Sequence, residues 1–117
     1  MIPEIQAVSI TVKNLKRSKH FYENILGFEP DIYYEATRWQ SYKSEGRAYF
    51  CITEDMSYSR EKLKDIINFD IENIDQYWKE IKEKVEIESV LEKAPWGTYK
   101  FVIRDLDGYR IAFCQNK

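Results

Sequence analysis

Asp105, Asp107 and Gly108 open the stretch DLDGYRIAFC with the spacing that begins a calcium loop. A loop of that kind needs oxygen donors at alternate positions and a closing glutamate over about 12 residues. Tyr109, Ile111, Ala112 and Phe113 follow instead, and they read as a strand. The Asp-x-Asp-Gly unit is therefore better explained as a hairpin turn whose carboxylates bond nearby backbone and whose Gly108 takes positive φ. The two cysteines, Cys51 and Cys114, have no C-x-x-C spacing and no neighbouring histidine, so they read as reduced, buried thiols. The single histidine, His20, sits between Lys19 and Phe21, off the apolar stripe of its segment, and reads as a solvated surface residue. What remains is aromatic: 15% of the chain, with nine Tyr and three Trp. That surplus over the needs of a small core points to a surface that receives a ligand.

A chain of 117 residues fits a single domain, or two small halves, with enough apolar area to fold unaided. Eighteen Lys and Arg against twenty Asp and Glu give a net charge of −2 with both signs mixed, which argues against a nucleic-acid partner. No apolar run approaches the roughly 18 residues that span a bilayer, and MIPEIQ lacks the marks of a secretory leader. A soluble, cytoplasmic protein without a membrane partner is expected.

The chain reads as two copies of one plan. Val8, Ile10 and Val12 alternate with Ala7, Ser9 and Thr11; Leu15, Ser18, Phe21, Tyr22, Ile25 and Leu26 then recur at helical spacing, with Asn14 as cap and Gly27 as stop. In the second half Ile67, Phe69 and Ile71 alternate with Ile66, Asn68 and Asp70, and Asn73 caps a helix carrying Ile74, Tyr77, Trp78, Ile81 and Val85. Asn14 aligns with Asn73 and Leu15 with Ile74, an offset of 59, and Cys51 aligns with Cys114 at an offset of 63. Each helix precedes three segments of strand composition. The reading is an α+β chain, a single domain over 1–117: a first βαβββ module at 1–53, a connector at 54–63 and a second module at 64–117.

A duplicated βαβββ unit with LKRSKHFYENILGFE at its first helix and RDLDGYRIAF at its last strand resembles the vicinal-oxygen-chelate superfamily, which holds glyoxalase I, extradiol dioxygenases and the fosfomycin- and bleomycin-resistance proteins. The resemblance implies a curved eight-stranded cup with one helix packed behind each module. Val8, Ile10, Val12, Ile67, Phe69, Ile71, Ile111 and Phe113 would then lie under the helices, and Ala7, Ser9, Thr11, Ile66, Asn68, Asp70, Arg110, Ala112 and Cys114 would face the cup. It also implies where a metal would sit. Carried over residue by residue, the family's ligand positions fall on Ala7, Ile66 and Ala112, with Tyr49 as a fourth, and these cannot hold a divalent ion. No metal, cofactor or catalytic residue is expected, and the balance leans against an enzyme.

The stretch KAPWGTYKF resembles the segment before the penultimate strand of bleomycin-resistance proteins, near the ligand groove. Trp96 is thus the leading contact residue, followed by Trp39, Tyr42, Tyr49 and Tyr99, with Asp70, Arg110 and Ala112 completing the candidate ligand site. The expectation is a metal-free protein sequestering an aromatic or cationic small molecule, such as an antibiotic, and working as a homodimer. One alternative is a metal-dependent lyase, isomerase or dioxygenase, for which Glu35, Glu45 and Glu54 are the nearby carboxylates. The other is an interaction module on a ferredoxin-like βαββαβ fold, recognisable by a single four-stranded sheet.

Overall fold

The computed structural model describes residues 1–58 and 65–116, and the chain divides into two compact units, Met1–Ser59 and Arg60–Lys117. In the first, strand β1 (Ala7–Val12) leads into helix α1 (Leu15–His20) and then β2 (Pro30–Tyr34), β3 (Trp39–Tyr42) and β4 (Tyr49–Glu54). The second repeats this with β5 (Ile66–Asp70), α2 (Ile74–Ile81), β6 (Glu86–Lys93), β7 (Thr98–Arg104) and β8 (Arg110–Asn116). The sheets run β1-β4-β3-β2 and β5-β8-β7-β6. In each, the first strand pairs in parallel with the last strand of its module, and the other pairs are antiparallel. Two βαβββ modules are therefore present, and the single sheet of a ferredoxin-like fold is not. Of the connector expected at 54–63, Glu54 instead completes β4, Asp55–Tyr58 form a turn, and residues 59–63 lie outside the described residues.

Local sequence explains the elements. Asn14 Oδ1 accepts from the Arg17 N–H at 2.9 Å and Asn73 Oδ1 from the Gln76 N–H at 3.2 Å, so each helix starts on the asparagine that the offset aligned. A second tie comes from the last strand of each module: Glu54 Oε2 accepts from the Leu15 N–H at 2.7 Å, and Gln115 Oε1 from the Ile74 N–H at 3.0 Å. Helix α1 continues as a π-helical turn, Phe21–Ile25, before Gly27 leaves it at φ 82°. The wider turn lets the adjacent residues Phe21 and Tyr22 both be buried. Helix α2 is shorter than its apolar stripe suggested. It ends at Ile81, because Lys82, Glu83 and Lys84 give no side chain to bury, and Val85 serves the approach to β6.

Each unit closes its own core. Tyr22, Phe28, Tyr42 and Phe50 cluster in the first, with ring centroids 5.1 Å apart for Tyr22 and Phe50. In the second, Phe101 meets Trp78 at 5.0 Å and Phe113 at 5.3 Å, and Tyr77 meets Phe113 at 4.9 Å. Ile10, Val12, Ile111 and Phe113 are buried as expected, whereas Val8, Ile67, Phe69 and Ile71 are only half-buried.

The Glu54 tie makes a testable link to pH. The Leu15 N–H, and after it the Arg38 side chain, favour the charged carboxylate and hold its pKa below the usual carboxylate range. A folded pKa below the unfolded one gives stability that is complete above the unfolded value and disappears as pH falls through the folded value. Glu54→Gln keeps an acceptor for the Leu15 N–H but does not titrate. Urea denaturation at about pH 7, 4.5 and 3 should show the variant less stable than wild type at the highest pH and level with it at the lowest. A gap that stays constant with pH would place the loss elsewhere.

Candidate functional site

One face of each sheet packs on its helix, so the residues of opposite parity form an open face. In the first unit, register places Ser9, Cys51 and Ser41 in one row across β1, β4 and β3. Ser9 Oγ and Cys51 Sγ are 2.8 Å apart, and Ser41 Oγ accepts from the Ile32 N–H at 3.1 Å. Cys51 is buried and free; Cys114, its counterpart, is also free but only half-buried, which corrects the expectation of two buried thiols. Burial pushes the Cys114 thiol pKa up, with Lys100 opposing and Asp70 adding to the effect.

Trp39 and Tyr49 meet on this same open face with their rings 6.4 Å apart, and Trp39 lies 5.7 Å from Tyr34. They line a hollow of about 290 Å³ together with Asp31, Ser41 and Arg47. Tyr42 borders the same hollow, but its side chain is turned to the opposite face. Its ring is 2% exposed and packs beside Tyr22, Phe28 and Phe50, and its hydroxyl donates to Glu23 Oε2 at 3.0 Å. Strand β3 alternates from Trp39, so Tyr42 has the parity of Gln40 and belongs to the helix side.

The second unit carries a larger hollow, about 470 Å³, lined by Ile66, Val102, Lys93, Lys100, Trp96 and Arg110 among others. Trp96 is 80% exposed in the turn between β6 and β7, where the Gly97 N–H donates to the Ala94 carbonyl at 2.9 Å and Gly97 takes φ 96°. That turn presents the indole at the rim of the hollow on a stiff support. Arg110 donates from Nε to Glu88 at 2.7 Å, and Arg104 reaches the same carboxylate at 2.5 Å. Burial works to raise the Glu88 pKa, but hydrogen bonds from Arg110 and Arg104 outweigh it and hold the carboxyl below its usual range.

Three of the expected site residues sit differently. Tyr99 shares parity with the fully buried Phe101 and Ile103, so it lies on the helix side, with the Lys93 ammonium 5.8 Å from its ring. Ala112 has the open-face parity but is fully buried, leaving no surface for a ligand to touch. Asp70 is exposed at the end of β5, opposite Cys114, and does not line the hollow. Lys93, Lys100 and Val102 do line it and were missed. Pairing with β8 decides their face: Phe101 and Ile103 stand opposite Phe113 and Ile111, so β7 turns Lys100 and Val102 to the open side.

The metal positions implied by the resemblance also have places in the register. Ala7 stands opposite Tyr49, Ile66 opposite Arg110 and Ala112 opposite Asn68. Alanine and isoleucine have no side-chain donor, and one phenol does not make a divalent site. Glu54 is committed to Leu15 and Arg38, and Glu35 to Tyr33 and Arg38. Among the described residues no group of three His, Cys, Asp or Glu side chains comes together to hold a metal ion. The residues present do not fit the family's metal. The Asp105 turn is a hairpin: its Oδ1 accepts from the N–H groups of Asp107 at 2.9 Å and Tyr109 at 2.8 Å, and Gly108 has φ 89°. No helix among the described residues is long and apolar enough to cross a membrane.

Comparison with known proteins agrees with this architecture. The fold is similar to that of the fosfomycin resistance protein FosX from Listeria monocytogenes, with a TM-score of 0.78 at 23% identity, covering 100% of this chain and 96% of that one. It is similar also to TioX from Micromonospora sp. ML1, with a TM-score of 0.78 at 16% identity over 98% of this chain and 100% of that one. A lactoylglutathione lyase from Agrobacterium tumefaciens gives 0.74 at 16% identity over 98% and 95%. At these identities the likeness is one of fold. No curated protein matches the chain. Residues 4–113 match a family as a whole, and with the two βαβββ units in place the chain belongs to the Glyoxalase/Bleomycin resistance protein/Dioxygenase superfamily.

Proposed function

We propose that the chain is a metal-free binding protein of this superfamily that sequesters an aromatic small molecule, with Trp96 as its principal contact. The observation that carries the reading is the second sheet's hollow, of ligand size, with a largely exposed indole at its rim. The residues at the family's metal positions support it, since they offer no donor set for a metal-dependent reaction. An antibiotic is a ligand in keeping with the names of FosX and of the family, and a homodimer in the cytoplasm is part of the same reading. Exposed Ile32, Tyr33 and Tyr34 on edge strand β2 offer apolar surface for such assembly.

A thermal-shift screen of aromatic antibiotics and metabolites tests this, because a ligand at 100 times its dissociation constant adds about 2.7 kcal/mol to apparent stability. Trp96→Ala should then weaken binding of any hit by a few-fold to about thirtyfold, as expected for a lost stacking or cation–π contact. Its effect on stability should stay within roughly 0.5 kcal/mol, as for other surface substitutions. An unchanged affinity would remove Trp96 from the site. One equivalent of zinc, nickel, iron or manganese surviving dialysis would sink the metal-free reading.

A further inference from the structure

The hollow beside Trp96 is not electrically balanced. Lys100 and Arg110 bring two cations to it against one carboxylate, Glu92; Lys93 borders it too, but its ammonium is turned to the Tyr99 ring on the other face. Just outside, Glu88 pairs with Arg110 and with Arg104, so the extra acid and the extra base cancel and the positive excess stands. The hollow on the first sheet differs: Asp31 and Arg47 bring one charge of each sign, and Arg47 is already paired with Glu4 at 2.9 Å. Charge therefore distinguishes the two sheets where their folds do not.

Lys100 is the residue that gives this excess a use. It projects from β7 on the face of Val102, which is 5% exposed, and opposite the fully buried Phe101 and Ile103. Glu92 stands opposite it in register, yet among the described residues the Lys100 ammonium makes no hydrogen bond or ion pair. Its neighbour across the β7–β8 pair is Cys114, a thiol. Asp70 lies beyond Cys114 in the same row, two strands away, and outside the hollow. Arg110 is held differently, with Nε engaged by Glu88 so that the plane of its guanidinium is fixed. An ammonium beside the nearly buried Val102 attracts an anion more strongly than one in bulk water, because the local dielectric is lower.

Resting on the reading that this hollow binds an aromatic molecule, the geometry points to an aromatic carboxylate as its ligand class: a planar ring against the Trp96 indole with the carboxylate at Lys100. The cationic option suggested by Asp70 is displaced, since that residue stands outside the hollow while Lys100 and Arg110 line it.

Naphthoate, naphthalenemethanol and naphthylmethylammonium share one ring system and differ in charge, so calorimetric titration of the full chain with each separates stacking from charge. Naphthoate should bind about tenfold more tightly than the alcohol, as for one charge-assisted contact, and the ammonium more weakly than either. The advantage should shrink as sodium chloride rises toward about 0.5 M. Lys100→Gln should bring the ratio of naphthoate to alcohol affinity down to about one, whereas Trp96→Ala should weaken all three. Equal affinities, a preference for the ammonium, or a preference for naphthoate that survives in Lys100→Gln would overturn the charge assignment while the aromatic-binding reading stood. Binding of none of the three would overturn both.

Discussion

Tyr42→Ala is expected to unfold the protein on the order of 10 to 20 °C below wild type, a loss of about 3 to 5 kcal/mol, and to do so without a specific effect on ligand affinity at temperatures where it is folded. The expectation follows from its packing. The ring lies 6.1 Å from Phe50 and 6.0 Å from Phe28, so truncation leaves a cavity among side chains that are themselves held by the helix and cannot close on it. Tyr42→Phe separates the ring from the hydroxyl. Glu23 keeps an ion pair with Lys19 at 3.2 Å, so losing the phenol costs only about 1 to 2 kcal/mol. Burial, and after it the hydrogen bond to Glu23, raises the phenol pKa, so Tyr42 stays protonated through any working pH and contributes no pH dependence. Thermal melts of both variants check this. A small stability loss in Tyr42→Ala joined to a large loss of binding would return Tyr42 to the ligand site.

Asp105→Ala should cost about 2 to 4 kcal/mol, more than other changes in a connecting turn, because a single carboxylate oxygen serves two backbone donors and the residue is 7% exposed. Removing it leaves the N–H groups of Asp107 and Tyr109 without that acceptor at the entry to β8, a strand hydrogen-bonded on both sides. Asp105→Asn retains an acceptor oxygen and should lose roughly half as much. Millimolar calcium should shift the melting of neither wild type nor variant. Calcium-dependent stabilisation of wild type that disappears in Asp105→Ala would revive the metal reading of this turn.

Both results bear on how much of the structure was legible in the sequence. Strand–helix units showed themselves because alternation in Val8–Val12 gives way to helical spacing at Leu15, with an asparagine at the junction, and because the same succession returns at Ile67–Ile74. Physical periodicity of that kind is local. The hairpin at Asp105 was legible for the same reason, since the Asp, Asp and Gly that make it are neighbours. Site residues were harder because their face depends on pairing partners far away in sequence. The exposure of Trp96 was legible, since a turn between Pro95 and Gly97 has no register to mistake. Tyr42 and Tyr99 had no face that the sequence could name: WQSY and TYKFVIR carry bulky residues on both faces, and only pairing with β4 and β8 decides which face meets the helix. The same ambiguity hid Lys100 behind Tyr99. Burial of Ala112 was likewise beyond a local reading, because side-chain parity names a face and not its coverage.

The order of strands within each sheet has a consequence for synthesis of the chain. The last strand of each module, β4 or β8, lies inside its sheet, between the first strand and the third, and also supplies the side chain that meets the start of the helix. Neither sheet can close before that strand has been made, since β1 waits for residues 49–54 and β5 for residues 110–116. The rings at the centre of the first module, Tyr22, Phe28, Tyr42 and Phe50, are nevertheless all present once Glu54 has been added. That module can therefore fold on the ribosome while the second is still being polymerised, at some 5 to 20 residues per second. For those few seconds β5 and α2 are the exposed species, with Ile67, Phe69 and the apolar stripe of α2 uncovered until the final strand arrives, which makes the nascent second module the stretch for a chaperone to guard.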